Sequence, residues 1–568
     1  VSPLSGCSAD TPRGVASNSS MPAGRATTLE ETIRLGSPLF EGSQYRMLEK
    51  GGAQESVLRE DLAQRPDGAD AEPAARAVFG HITDSHIIDA TNPGRLSFLW
   101  QYSDFDEGYP TSGRFRPQDA LTLHVLDATV RAFNDLERGP VTRRGIDALM
   151  LTGDITNSFL TSEVEAAAAI LKGGDGNSNP VGRYEGIQDH EPAPRRLQLN
   201  VWHPEPEKGD APRDQWKEQH GYPTVPGLLA ASSRTIEAPG TAFPWYVGFG
   251  NHDEAGRLDG SRISNGEQFL DGLRTGPRLP LELPEQMTTS RFWRQVSDGE
   301  KDRESLIAEL PSRTITASRL RSVFDKPKFQ AELTPPRQSV DRPGSPAALH
   351  YAFDVSPDVR GIMLNTSSPD GGGRAVLDQD QAAWLVEQLQ AVSSRYTDNE
   401  GRDVTAEVDD KLVVLFSHHP LRAFDEDPSA EDDGGRSITR GDLLDLLTRF
   451  PNLVLWMNGH EHRHKIVPHP GSGGSGGFWE VTTASLIDFP QQSRVVEMLD
   501  NRDGTLSIIA TLVDHSSAGD VRRDGPQTPQ SLAALSLELA TNRPGLDAGG
   551  VIGSSKDRNV ELLLTAPF

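Results

Sequence analysis

Five short stretches of this chain carry side chains able to bind cations or move protons. They are Asp84 and His86 in "TDSH", Asp154 in "TGDITNS", and Asn251, His252 and Asp253 in "GNHDE". His418 and His419 follow in "SHHP", then His460 and His462 in "NGHEHRH". The donors are carboxylate, imidazole and amide. Cys7 is the only cysteine, which excludes a thiolate cluster and any internal disulfide. Oxygen and imidazole donors suit Mn, Fe or Zn rather than a soft metal. Two cations about 3.5–4 Å apart need a shared ligand, and a carboxylate with two oxygens is the natural bridge. The stretch "LVLWMNGHEHRHKIVPH" (453–469) holds four histidines after an apolar run. On a helix, residues two apart point roughly 200° from one another, so His460 and His462 converge only from a strand end or turn.

The elements that must position these groups are legible as apolar runs, each ending in one of the polar stretches. "AVFGHI" (77–82), "IDALML" (146–151), "PWYVGF" (244–249), "KLVVLF" (411–416) and "NLVLWM" (452–457) read as buried strands. Helical patterns fall between them at 117–135, 161–172, 377–395 and 438–449. Continuous apolar strands alternating with helices indicate α/β sheets covered on both faces, with function at strand C-termini. Residues 1–75 read as a polar, partly disordered extension with one short helix near 54–63. The catalytic domain spans 76–515, interrupted by Pro/Gly/charge-rich insertions at about 173–240 and 255–345. Residues 516–568 form a C-terminal extension packing on the core, with a helix at 529–541 and a strand at 560–565. "DEDPSAEDDGG" (425–435) reads as a solvated acidic loop and "GSGGSGG" (471–477) as a flexible connector.

Taken in order, "DSH", "GD", "GNHD", "SHHP" and "GHEH" resemble the calcineurin-like metallophosphoesterase superfamily. The resemblance implies a sandwich of two mixed β-sheets flanked by helices, with the active site at the strand C-termini. It implies that Asp84, His86, Asp154 and His462 hold one divalent cation. Asp154 would bridge to a second, completed by Asn251, His418 and His460. It further implies hydrolysis of a phosphoester by a metal-bridging hydroxide, with His252 assisting the leaving group and Asp253 orienting the His252 ring. His419, Asn157 and Arg494 are expected beside the substrate or behind the ligands, and Arg114 and Arg116 are further candidates to grip phosphate. Asn157 stands where the purple acid phosphatases of that superfamily carry a tyrosine, and "DSH" replaces their D-x-G, so a coloured ferric site is not expected. A phosphodiesterase acting on nucleotides or phospholipid headgroups is the enzymatic alternative. A metal-binding protein that has lost its chemistry is the non-enzymatic one. Outside the pattern, His81 is expected to be a satisfied core histidine, and His464 and His469 to lie on the surface.

The formal net charge is −26, which argues against a nucleic-acid duplex or an anionic membrane surface as partner. Two cations would bring about four positive charges to the one place where a phosphate must bind. No apolar run approaches the roughly 20 residues of a membrane span. "LSGC" at 4–7 has the form of a lipoprotein cleavage site, with a chance tetrapeptide as the plainer reading. The insertions together with "EVTTASLIDFPQQSR" (480–494) resemble an exported actinobacterial branch of the superfamily. Export is therefore the expectation, and a cytoplasmic setting the alternative.

Overall fold

The computed structural model describes residues 27–66, 72–102, 114–209, 212–254, 265–298, 302–334, 340–343, 348–369, 372–426, 437–471 and 476–568. The "LSGC" stretch, most of the acidic loop and the centre of the glycine connector lie outside these residues.

Two mixed sheets carry the architecture. The seven-stranded sheet runs Val57–Arg59, Val560–Thr565, Thr505–Asp514, Gln492–Asp500, Ala74–Ile82, Ala148–Thr152, Trp245–Gly248. The last three are mutually parallel, so their C-termini share one edge. The six-stranded sheet runs Tyr351–Ser356, Val359–Met363, Leu412–Phe416, Leu453–Asn458, Gly477–Thr482, Lys465–Pro470. Its four inner strands are likewise parallel. All residues of Ala148–Thr152, Leu412–Phe416 and Leu453–Asn458 are buried, as unbroken apolar runs require of strands covered on both faces.

One apolar cluster draws on both sheets, with Phe79, Met150 and Tyr246 from one and Phe353, Phe416, Met457 and Trp479 from the other. Phe79 meets Phe416 edge-on at 5.6 Å between ring centroids, a geometry that contributes about 0.5–1.5 kcal/mol beyond its area. On the opposite face of the seven-stranded sheet, Thr122–Leu136 and Thr161–Lys172 bury Val125, Phe133, Val164 and Ile170. Gln379–Gln390 and Arg440–Leu447 cover the outer face of the six-stranded sheet. Both start two residues later than the apolar pattern suggested, because side-chain caps set their starts. Asp378 accepts from Gln381 N–H at 2.7 Å and Thr439 from Asp442 N–H at 3.0 Å.

Three features depart from the sequence reading. The short helix expected near 54–63 is instead an edge strand, Val57–Arg59, pairing in parallel with Val560–Thr565. The polar N-terminal region also contains a hairpin, Thr32–Pro38 with Arg46–Gly51. Its strands are mostly half-exposed and so leave little hydrophobic alternation to read. Val560–Thr565, finally, does more than lie on the core: it is an inner strand of the seven-stranded sheet.

The described parts of residues 173–240 and 255–345 contribute to one shared apolar cluster. Trp202, Trp216 and Tyr222 from the first meet Leu281, Phe292 and Ile315 from the second, together with Leu532 and Leu535 of Pro529–Thr541. No helix among the described residues is long and apolar enough to cross a membrane.

Candidate metal centre

The ends of five strands, three from one sheet and two from the other, deliver their polar residues to one cluster. The turns that do so are conformationally unusual. Asp84 (φ 52°), His86 (φ 42°), Asp154 (φ 48°), His460 (φ 69°) and His462 (φ 52°) all adopt left-handed backbone. Each such residue costs on the order of 1–3 kcal/mol and persists only where its surroundings over-determine it. Close approach demands glycine as well. A Cβ on Gly250 would collide with the Asp154 amide nitrogen, and one on Gly459 with Asp84 Oδ2 and Thr83 Oγ1.

Each central carboxylate has one oxygen tied to the fold and one turned to the imidazoles. Asp84 Oδ2 accepts from Thr83 Oγ1 at 2.7 Å and from His460 N–H at 2.9 Å. Asp84 Oδ1 is buried without a hydrogen bond, with Nε2 of His462, His86 and His418 at 3.3, 3.8 and 4.0 Å. Asp154 Oδ1 accepts from His252 N–H at 2.7 Å. Its Oδ2 faces His418 Nε2 at 3.2 Å and His86 Nε2 at 3.5 Å. Asn251 Oδ1 stands 3.1 Å from His418 Nε2, and the His460 ring centroid lies 5.1 Å from that of His418.

The back nitrogens settle which atoms face inward. His418 Nδ1 donates to the Thr152 carbonyl at 2.9 Å and His462 Nδ1 to Asp488 Oδ2 at 2.9 Å, leaving Nε2 of both toward the carboxylates. Burial disfavours charge on Asp84 and Asp154, yet the facing imidazoles, His418 first, hold both below the usual carboxylate range. Burial likewise opposes a proton on His418, but Asp154 and Asp84 outweigh it and raise the group to about 9. For His462 the opposition of burial is overcome by Asp488 and Asp84, which push it up to about 10. Burial lowers His86 and His460 to about 4 each.

This arrangement fits divalent cations. An orphaned, buried carboxylate oxygen ringed by imidazole nitrogens is an unfavourable way to bury charge without a cation. Potential ligand atoms of Asp84, His86 and His462 lie within 4.8 Å of one another, as do those of Asp84, Asp154 and His418, and those of His418, His419 and His460. Cations binding there would displace the protons that the carboxylates otherwise hold on His418 and His462.

The remaining candidates divide. His252 is exposed, whereas the other candidate donors are buried or, for His460 and His462, half-buried; its ring lies 4.7 Å from that of His86, and a ring nitrogen falls within 4.8 Å of ligand atoms of His86 and Asp154. No hydrogen bond joins the Asp253 carboxylate to the His252 ring. That carboxylate accepts from the backbone N–H groups of Gly250, Ile155 and Thr156 at 3.0, 3.2 and 2.8 Å, so it braces the two neighbouring turns. Burial, then the charge of Asp154, push Asp253 upward. The group that orients the His252 ring is the Asn157 main-chain carbonyl, accepting from Nδ1 at 3.0 Å; the expected role of Asp253 is corrected accordingly.

His419 is buried behind His418. Its Nδ1 pairs with Thr366 Oγ1 at 3.0 Å and its Nε2 is without a partner, 4.3 Å separating its ring centroid from that of His460. Arg494 is fully buried and donates to the carbonyls of Asp557 and Arg558 at 2.6 and 2.7 Å, which ties it to the C-terminal segment rather than to an open site. Arg114 lies over the Trp293 ring at 5.1 Å, and Arg116 forks onto Asp488. His81 bridges Thr483 and Thr152 inside the core. His464, expected on the surface, is buried, because its Nδ1 accepts from Ala484 N–H at 3.2 Å and its Nε2 meets Gln492. His469 is half-buried against Glu480.

Sequence reasoning passed over Asp488, the carboxylate behind His462. The available signal was an acidic residue just beyond the apolar strand Gly477–Thr482, in a stretch otherwise of small and apolar residues.

No protein-family model and no curated protein sequence matches the chain. Among solved structures it is similar to a dimetal phosphatase from Danio rerio, at 13% identity over 78% of this chain and 100% of that one, with a TM-score of 0.29. A purple acid phosphatase from yellow lupin seeds aligns at 11% identity over 84% of this chain and 54% of the other, TM-score 0.29. A structure of PhoD aligns at 9% identity over 82% and 68%, TM-score 0.27. Likenesses this distant carry no argument about chemistry, which rests on the side chains of the cluster.

Proposed function

We propose that the chain is a dinuclear metal-dependent hydrolase that cleaves phosphoester bonds of a small-molecule substrate. The observation that carries this reading is the convergence of carboxylate, amide and imidazole donors, buried or half-buried, from five strand ends, with one exposed imidazole, His252, at their margin. In this reading the two sheets pack as a sandwich around their shared core, and the two insertions border the approach to the site.

Asp84, His86 and His462 would hold one cation, Asn251, His418 and His460 the other, with Asp154 shared between them. When bound, two divalent cations supply a water acidified toward neutrality and neutralise the non-bridging oxygens of the phosphate. His252 acts on the leaving side. The Asn157 carbonyl occupies the Nδ1–H, so the imidazolium form carries its second proton on Nε2. Donating that proton to the departing oxygen leaves a neutral ring, still held by Asn157. Asp253 keeps the Gly250 and Thr156 turns in register, which fixes where both Asp154 and His252 stand.

The test is an assay of the purified, Mn-loaded protein against p-nitrophenyl phosphate and bis-p-nitrophenyl phosphate. Turnover of either supports the reading, and the preferred substrate separates monoesterase from diesterase. Two bound metals per chain with no turnover of either would instead identify a metal-binding protein without this chemistry.

A further inference from the structure

The loop after Gly477–Thr482 meets the metal centre at two points. Leu486 N–H donates to the Asp84 carbonyl at 3.1 Å, and two residues later Asp488 stands behind His462. Asp488 Oδ2 accepts from His462 Nδ1 at 2.9 Å and from Arg116 Nη2 at 3.0 Å. Its Oδ1 accepts from Arg116 Nε at 2.8 Å, with Arg543 Nη1 at 3.4 Å. The Arg116 fork is planar and two-pointed, so it fixes the rotation of the carboxylate as well as its place. Arg543 follows Pro529–Thr541, which brings the C-terminal region into the same network.

His462 is thereby set apart from the other inward-facing histidines. His418 leans on a main-chain carbonyl, and His86 Nδ1 is buried with no partner at all. We propose that Asp488 is a positioning residue of the metal centre, fixing the tautomer and ring of His462 so that Nε2 is presented beside Asp84, with Arg116 and Arg543 holding the carboxylate in turn. This rests on the reading of the cluster as a dinuclear site. A carboxylate in that position makes the imidazole a stronger ligand and removes the freedom to rotate away. The effect belongs to the cation that His462 would share with Asp84 and His86, not to the one beside Asn251 and His460.

The test compares the full-length wild type with Asp488→Asn, using Zn²⁺ as the probe in equilibrium dialysis with elemental analysis. The variant is expected to bind one of two Zn²⁺ ions about 10–100-fold more weakly, with the other unchanged. Nitrogen-15 NMR of the Zn-loaded wild type, with His462 assigned through His462→Gln, is expected to show the proton on Nδ1. If Asp488→Asn does not fold, that wild-type spectrum decides alone. Two Zn²⁺ ions held with wild-type affinity by Asp488→Asn, or a His462 Nδ1 without a proton, would overturn the role of Asp488 while leaving the dinuclear reading standing. A wild type that binds no Zn²⁺ would overturn both.

Discussion

At the scale of single residues, the division of labour follows burial. Asp84, Asp154 and His418 are buried, whereas His252 presents its ring to solvent while its main-chain N–H remains bonded to Asp154. Removing the ring should therefore leave the donor set intact. His252→Ala is expected to lower kcat by about 10²–10⁴-fold, with two metals still bound per chain by elemental analysis. Parallel loss of metal and turnover would mean that the ring serves as a ligand instead. That these side chains would converge was legible in the sequence, because carboxylate, amide and imidazole at strand ends have few other common uses in combination. What supports them was less legible. Asn157 acts on His252 through its main-chain carbonyl, a group that every residue carries, so no side-chain pattern announces it. Asp488 lies 26 residues beyond His462, and the pairing of Gly477–Thr482 with both Leu453–Asn458 and Lys465–Pro470 brings the two together.

At the scale of elements, the parallel strands matter because they end together, and the turns beyond them matter because they bend sharply. The apolar runs gave four of those five strands to within about two residues, since three to six consecutive buried residues leave a continuous hydrophobic signature. The first began earlier than its run, at Ala74, where exposure is only partial. The turns were visible as motifs, but their left-handed backbone and close contacts were not. Gly459 shows the consequence. Its N–H donates to the His418 carbonyl at 2.9 Å, and a Cβ there would collide with Thr83 Oγ1 and Asp84 Oδ2. Gly459→Ala is expected to force these turns apart, destabilising the fold by about 1–3 kcal/mol. Metal affinity should fall as well, since Asp84 and His460 shift together. Calorimetry and metal titration measure the two effects, and an unchanged metal affinity would show that the turn tolerates the displacement.

At the scale of the whole molecule, residues 173–240 and 255–345 read as interruptions of the strand series but not as structure, because the core their described parts build draws on side chains far apart in the sequence. Their attachment to the sheets is specific. Arg321, within 255–345, is fully buried and donates from Nε to Asp89 Oδ2 and from Nη2 to Thr91 Oγ1, both at 2.7 Å, just past the turn that carries Asp84 and His86. Arg321→Ala would strand the Asp89 carboxylate and is expected to destabilise the protein by about 3–5 kcal/mol in denaturant unfolding; a change below about 1 kcal/mol would mean that water replaces the arginine. Acid should weaken the molecule as a whole for a related reason. Burial lowers His124 in Thr122–Leu136 and His203, within 173–240, to about 4 each, and neither lies among the candidate ligands. Their unfolded counterparts take up a proton near pH 6.5, so between about 6.5 and 4 the unfolded chain binds more protons than the folded one. Stability is therefore fully present above pH 6.5 and declines as pH falls toward 4. At about 1.4 kcal/mol per unit, each histidine accounts for roughly 2 kcal/mol of loss by pH 5. His124→Leu keeps the site buried and removes one of these protonations. Its Tm should fall less steeply than that of the wild type between pH 7 and pH 5, when both are measured with chelator present so that metal release does not contribute. Parallel curves would show that His124 finds solvent or a counter-charge as soon as the protein is acidified.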